Sequence, residues 1–183
     1  MKMMITENAT FSNYEELNDI QSELLQYINK NPGIRYRELL RLSNLTNGVL
    51  TYHLALLEKS HRIKVDRNRN KKMTRYYHNN IPTEETGIIG YIRHDATSQI
   101  ILFILENDLC SFNEIVEHIK KAPSTISWHL KRLKEEGIIS VQYGHYNLYQ
   151  LTNKEVVAEV LHKYKQGFID KVVDNYTEIM EEF

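Results

Sequence analysis

Thr51-Tyr52-His53-Leu54 returns as Ser127-Trp128-His129-Leu130, 76 residues later, and the flanks return with it. The same offset pairs Ile28 with Ile104, Asn31 with Asn107, Glu38 with Glu114, Leu57 with Leu133, Ile63 with Ile139 and Val65 with Val141. A gap-free match from about residue 24 to 65 means that one structural unit occurs twice. Apolar spacing within the unit reads as two helical segments, a short break, a third helix and a strand pair.

The chain has 183 residues, 42% hydrophobic and 26% charged, an ordinary composition for a soluble protein of two small units. Each unit is near the lower size limit for an independent core, so packing between them or dimerisation would add stability. The longest strictly apolar run, residues 100–105, is far too short for a membrane span. Met1-Lys2-Met3-Met4-Ile5 soon meets Thr6, Glu7 and Asn8, so no signal-peptide core is expected and the protein is expected to be cytoplasmic. The single cysteine, Cys110, aligns with Ile34 and reads as a small buried hydrophobe. Net charge is only −1, but it is segregated. Arg62, Lys64, Arg67, Arg69, Lys71, Lys72 and Arg75 face Asp66 alone, whereas Asp170, Asp174, Glu178, Glu181 and Glu182 gather near the end.

The periodicity predicts a flexible N-terminus over 1–12, a first unit over 13–78, a connector over 79–96, a second unit over 97–152 and a C-terminal helix over 153–183. Ser12 with Glu15 resembles a capping box and opens a helix near Asn13; Asn31-Pro32-Gly33 stops it. The second helix spans residues 36–42 and the third 48–59, followed by strands at 63–65 and 74–77 around a polar loop. In the connector, Thr83-Glu84-Glu85 starts a short helix, and Ile88, Ile89 and Ile92 make it too apolar to be loose. The second unit repeats the order, with Ser111 capping 112–118, Pro123 opening the third helix and Gly137 closing it. Val157, Leu161, Tyr164, Phe168, Val172, Ile179 and Phe183 form the seam of the last helix.

Leu50, Leu54 and Leu57, like Ile126, Leu130 and Leu133, fall at i, i+4 and i+7 and seat each third helix on its unit. Asn47, Gly48, Thr51 and Tyr52 then point outward, as do Ser124, Thr125, Ser127, Trp128 and Lys131, with His53 and His129 at the edge of the buried stripe. Hydroxyls donate to phosphates and bases, aromatics meet thymine methyls or sugars, and Lys131 and Arg132 neutralise phosphate. Arg67, Arg69, Lys71, Lys72 and Arg75 form a basic hairpin suited to a phosphate backbone or minor groove. The alternatives are packing of Tyr52 and Trp128 on their own hairpins or a partner subunit, a hydrogen-bonded shelf role for His53 and His129, and a merely solvated charge cluster in the loop. Core packing alone, however, does not require an outward aromatic on both helices. The second hairpin, residues 142–147, is short and uncharged apart from His145.

The run Pro123-Ser124-Thr125-Ile126-Ser127-Trp128-His129-Leu130, followed by Leu133 and Gly137-Ile138-Ile139, resembles the recognition segment of ArsR- and MarR-type winged helix-turn-helix regulators. Two such units in one short chain resemble archaeal tandem winged-helix transcriptional regulators, one group of which activates genes of the archaeal swimming filament. The resemblance implies a mainly α fold with small β-hairpin wings: two tandem winged helix-turn-helix domains plus a C-terminal helix. It implies regulation of transcription by sequence-specific binding of double-stranded promoter DNA, with the third helices 47–59 and 123–136 in the major groove and the wing 66–75 on phosphate. The chain departs from the pattern in lacking the cysteine pair of metal-sensing ArsR proteins and in carrying Asn47-Gly48 where the second unit has Pro-Ser.

No metal-ligand spacing, phosphate-binding glycine loop or catalytic set is legible, so neither enzyme activity nor a cofactor is expected. The competing reading is a winged-helix docking module on the transcription machinery, without its own DNA site. The last helix either packs on its own chain or makes a homodimer, and its long seam favours the dimer.

Overall fold

A computed structural model describes residues 17–67 and 74–164. The helix expected near Asn13 begins instead at Asp19 (α1, Asp19–Lys30), because Asn18 supplies the cap. Its side chain accepts from the Gln21 amide at 2.9 Å while the Gln21 side chain accepts from the Asn18 amide at 3.2 Å. Ser12 and Glu15 lie outside the described residues.

Beyond α1 come a two-residue strand β1 (Ile34–Arg35), α2 (Tyr36–Ser43), α3 (Asn47–Lys59) and the hairpin β2 (Ile63–Arg67) and β3 (Thr74–His78). The helix α4 (Thr83–Ile92) follows, where the connector was expected to be helical and packed. The second unit is α5 (Asp95–Asn107), β4 (Cys110–Ser111), α6 (Phe112–Ile119), α7 (Pro123–Glu135), β5 (Ile139–Gln142) and β6 (Leu148–Leu151), and then α8 (Lys154–Lys163). The offset of 76 holds element by element: α3 starts at Asn47 and α7 at Pro123, β2 at Ile63 and β5 at Ile139. Even local strain repeats, since the residues ending α2 and α6, Asn44 and Lys120, are both left-handed.

Both sheets are antiparallel with the same order, β1-β3-β2 and β4-β6-β5. Ile63 pairs with His78 but Ile139 with Leu151, so the second hairpin is three residues shorter (13 against 16). Glu38 and Glu114 play one local part, each accepting from the backbone amide of the residue before its unit's second helix, Arg35 or Ser111; only Ser111 completes a capping box by accepting from the Glu114 amide in return.

Two apolar cores form. The first gathers Leu24, Ile28, Ile34, Leu39, Leu50, Leu57, Ile63 and Tyr76. The second holds Ile100, Ile104, Cys110, Ile115, Ile126 and Leu133, and extends through Ile88, Ile89 and Ile92 of α4 to Tyr77. β3 is therefore a shared wall: side chains alternate across a strand, so Tyr76 enters the first core while Arg75 and Tyr77 face α4. Val157 and Val160 of α8 close the second core, and Lys163 and Tyr164 both reach Glu85 of α4. Phe168, Val172, Ile179 and Phe183 of the expected seam lie outside the described residues.

Arg93, at the end of α4, ties the connector back to the first unit. Its guanidinium is buried, pairs with Glu38 at 2.9 Å and also donates to the Pro32 carbonyl. Cys110 is buried as expected, and burial raises its thiol pKa, which leaves it a packing residue.

Candidate nucleic-acid interface

The two third helices bury the expected anchors. Leu50, Leu54 and Leu57 lie in the first core and Ile126, Leu130 and Leu133 in the second. On the opposite faces Asn47, Gly48, Thr51 and Tyr52 are exposed, as are Ser124, Thr125, Ser127, Trp128 and Lys131. Tyr52 and Trp128 keep 61% and 52% of their surface in solvent, an unusual disposition for large aromatics. Among the described residues the ring neighbours are His53 for Tyr52, and His129 with the Arg132 guanidinium for Trp128.

The two faces differ in rigidity and charge. The Tyr36 hydroxyl lies 3.0 Å from both the Asn47 carbonyl and the Thr51 hydroxyl, tying the start of α3 to α2. In α7, Arg132 sits over Trp128 at 4.8 Å and over Tyr91 of α4 at 5.7 Å, so its cation is near the faces of two rings. Lys131 lies 3.9 Å from Glu135, one turn on, and stays exposed.

Three of the residues expected at the interface are buried. His53 and His129, expected at the edge of the buried stripe, lie within it, and each meets the exposed aromatic before it edge-to-face. Burial, with the nearby His94, Arg132 and Lys121, lowers the pKa of His129, so at neutral pH its ring is uncharged. Arg75 is only 6% exposed and donates from its Nη1 to the Gly33 carbonyl at 2.9 Å, so it braces the sheet against α4. Arg67 is exposed but forked onto Glu58 of α3 at 2.6 and 2.5 Å, which lowers the Glu58 pKa. Arg69, Lys71 and Lys72 lie outside the described residues.

Some candidates escaped the sequence reading. Tyr143 and Tyr146, at the tip of the second wing, are each 71% exposed, and Lys134 of α7 donates to the Tyr143 hydroxyl. Their signal was the aromatic pair around Gly144-His145, passed over because the wing lacks charge. Tyr91 and His94 were also missed. They line a cleft of about 440 Å³ with Trp128, Arg132 and the base of the first wing, and nothing in the local pattern announces it. Among the described residues no group of three His, Cys, Asp or Glu side chains is gathered as for a metal ion. No described helix is long and apolar enough to cross a membrane.

Known proteins bear on both halves. The family described as bacterial regulatory protein, arsR family, matches residues 97–141, and the winged helix-turn-helix DNA-binding family matches residues 17–64. The chain is 28% identical over 123 residues to the uncharacterized HTH-type transcriptional regulator MJ1398 of Methanocaldococcus jannaschii. That match covers 67% of this chain but only 30% of the relative. Among solved structures, a mutant of Lactococcus lactis ZitR in apo form aligns at 23% identity, covering 53% of this chain and 76% of that one, with a TM-score of 0.33. A second ZitR structure, described as a zinc-responsive MarR family member, aligns at 19% identity over 75% of this chain and 84% of that one, with a TM-score of 0.32. Two matched units, with the same element order and sheet topology, give this chain a tandem winged helix-turn-helix fold, its first unit similar to the winged helix-turn-helix DNA-binding family and its second to the arsR family.

Proposed function

We propose that the protein regulates transcription by binding a specific double-stranded DNA sequence, reading the major groove with α3 and α7. The observation that carries this reading is the matched exposure of Thr51-Tyr52 and Ser127-Trp128 opposite buried leucine and isoleucine anchors. Asn47 and Gly48, and Ser124 and Thr125, let the starts of these helices approach base edges closely. Lys131 and Arg132 of α7, with Arg67, Arg69, Lys71 and Lys72 of the first wing, supply the phosphate grip. Arg67 joins it by exchanging Glu58 for phosphate. His53, His129 and Arg75 act from behind, by holding the reading residues in place.

The C-terminal stretch 165–183 continues the apolar spacing of α8 and would join two copies as a homodimer. A contact with the transcription machinery would use its acidic residues. Control of motility genes would be an analogy drawn from the resemblance alone.

The test is selection of purified full-length protein against a randomised duplex library, followed by titration at two salt concentrations. One enriched motif, bound more weakly as salt rises, is the expected result, and its symmetry reports the dimer. No enrichment, with only weak binding at low salt, would replace DNA reading with docking onto another protein.

A further inference from the structure

The two third helices have the same place in the fold but opposite surface chemistry. Where α7 has Lys131, Arg132 and Lys134, the offset of 76 gives α3 Ala55, Leu56 and Glu58; where α7 has Thr125, α3 has Val49. Val49, Tyr52 and Ala55 recur every three residues, so they share one helix face, and all three are exposed. The lysines and arginines of α3 reduce to Lys59, its last residue. Its outward face is therefore apolar, whereas that of α7 carries cations and hydroxyls.

Hydrogen bonding sharpens the contrast. The Tyr36 hydroxyl lies within hydrogen-bond distance of the Asn47 carbonyl and side-chain oxygen and of the Thr51 hydroxyl. A hydroxyl has one proton to give. With that of Tyr36 given to the Asn47 oxygens, the Thr51 proton goes to Tyr36, and the methyl of Thr51 is what remains to offer a groove. In the second unit Phe112 stands at the position of Tyr36 and has no hydroxyl, so Ser127 is not tied down in this way. A Cβ on Gly48 would meet nothing within 4 Å, so packing does not require that glycine. Its effect is to lay bare the first turn of α3 beside Val49.

We propose that α3 reads thymine methyls, and that the two units divide the DNA site by chemistry: apolar contact from the first, hydrogen bonds and charge from the second. In the major groove only thymine presents a methyl group. The same apolar face set against guanine or cytosine would cover polar edge atoms without pairing them, which costs affinity. The first wing, with Arg67, Arg69, Lys71 and Lys72 in its sequence, makes a phosphate backbone the complementary neighbour of this face. A protein docked through apolar contact would not call for those cations. This division of labour rests on the DNA reading above and names what one of its helices recognises.

Deoxyuridine differs from thymidine only by the missing C5 methyl and keeps the hydrogen-bonding edge. The full chain is titrated against its selected duplex with each thymine replaced in turn, and affinity is read by fluorescence anisotropy. Thymines clustered at one subsite should respond, each replacement weakening binding about fourfold, as expected for one buried methyl group. The double variant Val49→Ser, Tyr52→Ser should bind thymine and uracil duplexes equally, with unchanged circular dichroism because both side chains are exposed. Lys131→Ala should weaken both duplexes alike and keep the methyl effect. No response at any thymine overturns methyl reading while specific DNA binding stands, and so does a response that survives intact in the double variant. Native affinity of the double variant for every duplex would overturn it too and give the α3 face to a protein partner. Failure to select any duplex removes the DNA reading itself, and methyl reading falls with it.

Discussion

Gly33 holds φ at +74°, and a Cβ there would come within 3.1–3.2 Å of Tyr77, Arg93 and Ile89. Sequence reading saw in Asn31-Pro32-Gly33 only a helix stop. The structure adds that this turn is where the first unit presses on α4, so backbone and packing both demand glycine. Gly33→Ala should cost about 1–3 kcal/mol, read from urea unfolding; an unchanged midpoint would mean that the turn relaxes freely. The buried histidines give a pH effect. Burial comes first in depressing the pKa of both His94 and His129, with surrounding Arg35, Arg75, Arg132 and Lys121 adding to it and Asp95 opposing it at His94. An unfolded imidazole titrates near 6.5, so below that pH the unfolded chain binds protons that the fold resists. Stability should be full above about pH 6.5 and fall as the pH drops toward the folded values. His94→Gln should flatten that slope of Tm against pH, and a slope as steep as the native one would assign the acid loss to other groups.

At the scale of elements, the third helices were the most legible parts of the chain, because i, i+4, i+7 anchors and their repetition specify which face is buried. β3 was not. Arg75 counted as a wing cation because a lone winged-helix hairpin shows one face to water; here α4 covers that face and Arg75 becomes a buried brace. His53 and His129 sank inward for a related reason: each sits one residue before a buried leucine, and the exposed aromatic before it leans on its ring. Removing that aromatic tests the element. Trp128→Ala should lower affinity for the selected duplex about tenfold or more, by roughly 1–3 kcal/mol, with Tm nearly unchanged because the indole is half in solvent. Unchanged affinity would return Trp128 to a surface role. The alanine variant of Arg67, Arg69, Lys71 and Lys72 should weaken binding to all duplexes and flatten its dependence on salt. An unaltered salt slope would remove the first wing from the interface.

At the scale of the molecule, the two units do not behave as beads on a linker. α4 lends Ile88, Ile89 and Ile92 to the second core while Arg93 is buried against Glu38 and Pro32 of the first unit. Removing one partner of a buried pair strands the other charge. Arg93→Ala should therefore cost about 2–4 kcal/mol, the lower part of that span reflecting the partial exposure of Glu38. Calorimetry should show one transition for the native chain and a broadened or divided one for the variant. A variant that melts at the native temperature in a single sharp step would mean that the apolar contacts of α4 suffice to join the units.

The sequence by itself determined the repeat, the element order, the anchors and the outward pair of hydroxyl and aromatic on each third helix. These depend on periodicity and caps, whose physics is local and is written within a few residues. Only the tertiary structure decided that α4 seals the outer face of β3, that Arg75 and the histidines are buried, and that a cleft opens beside α7. Those outcomes depend on which surfaces meet between residues far apart in the chain. Arg93 and Glu38, 55 residues apart, share one buried contact that no local pattern encodes.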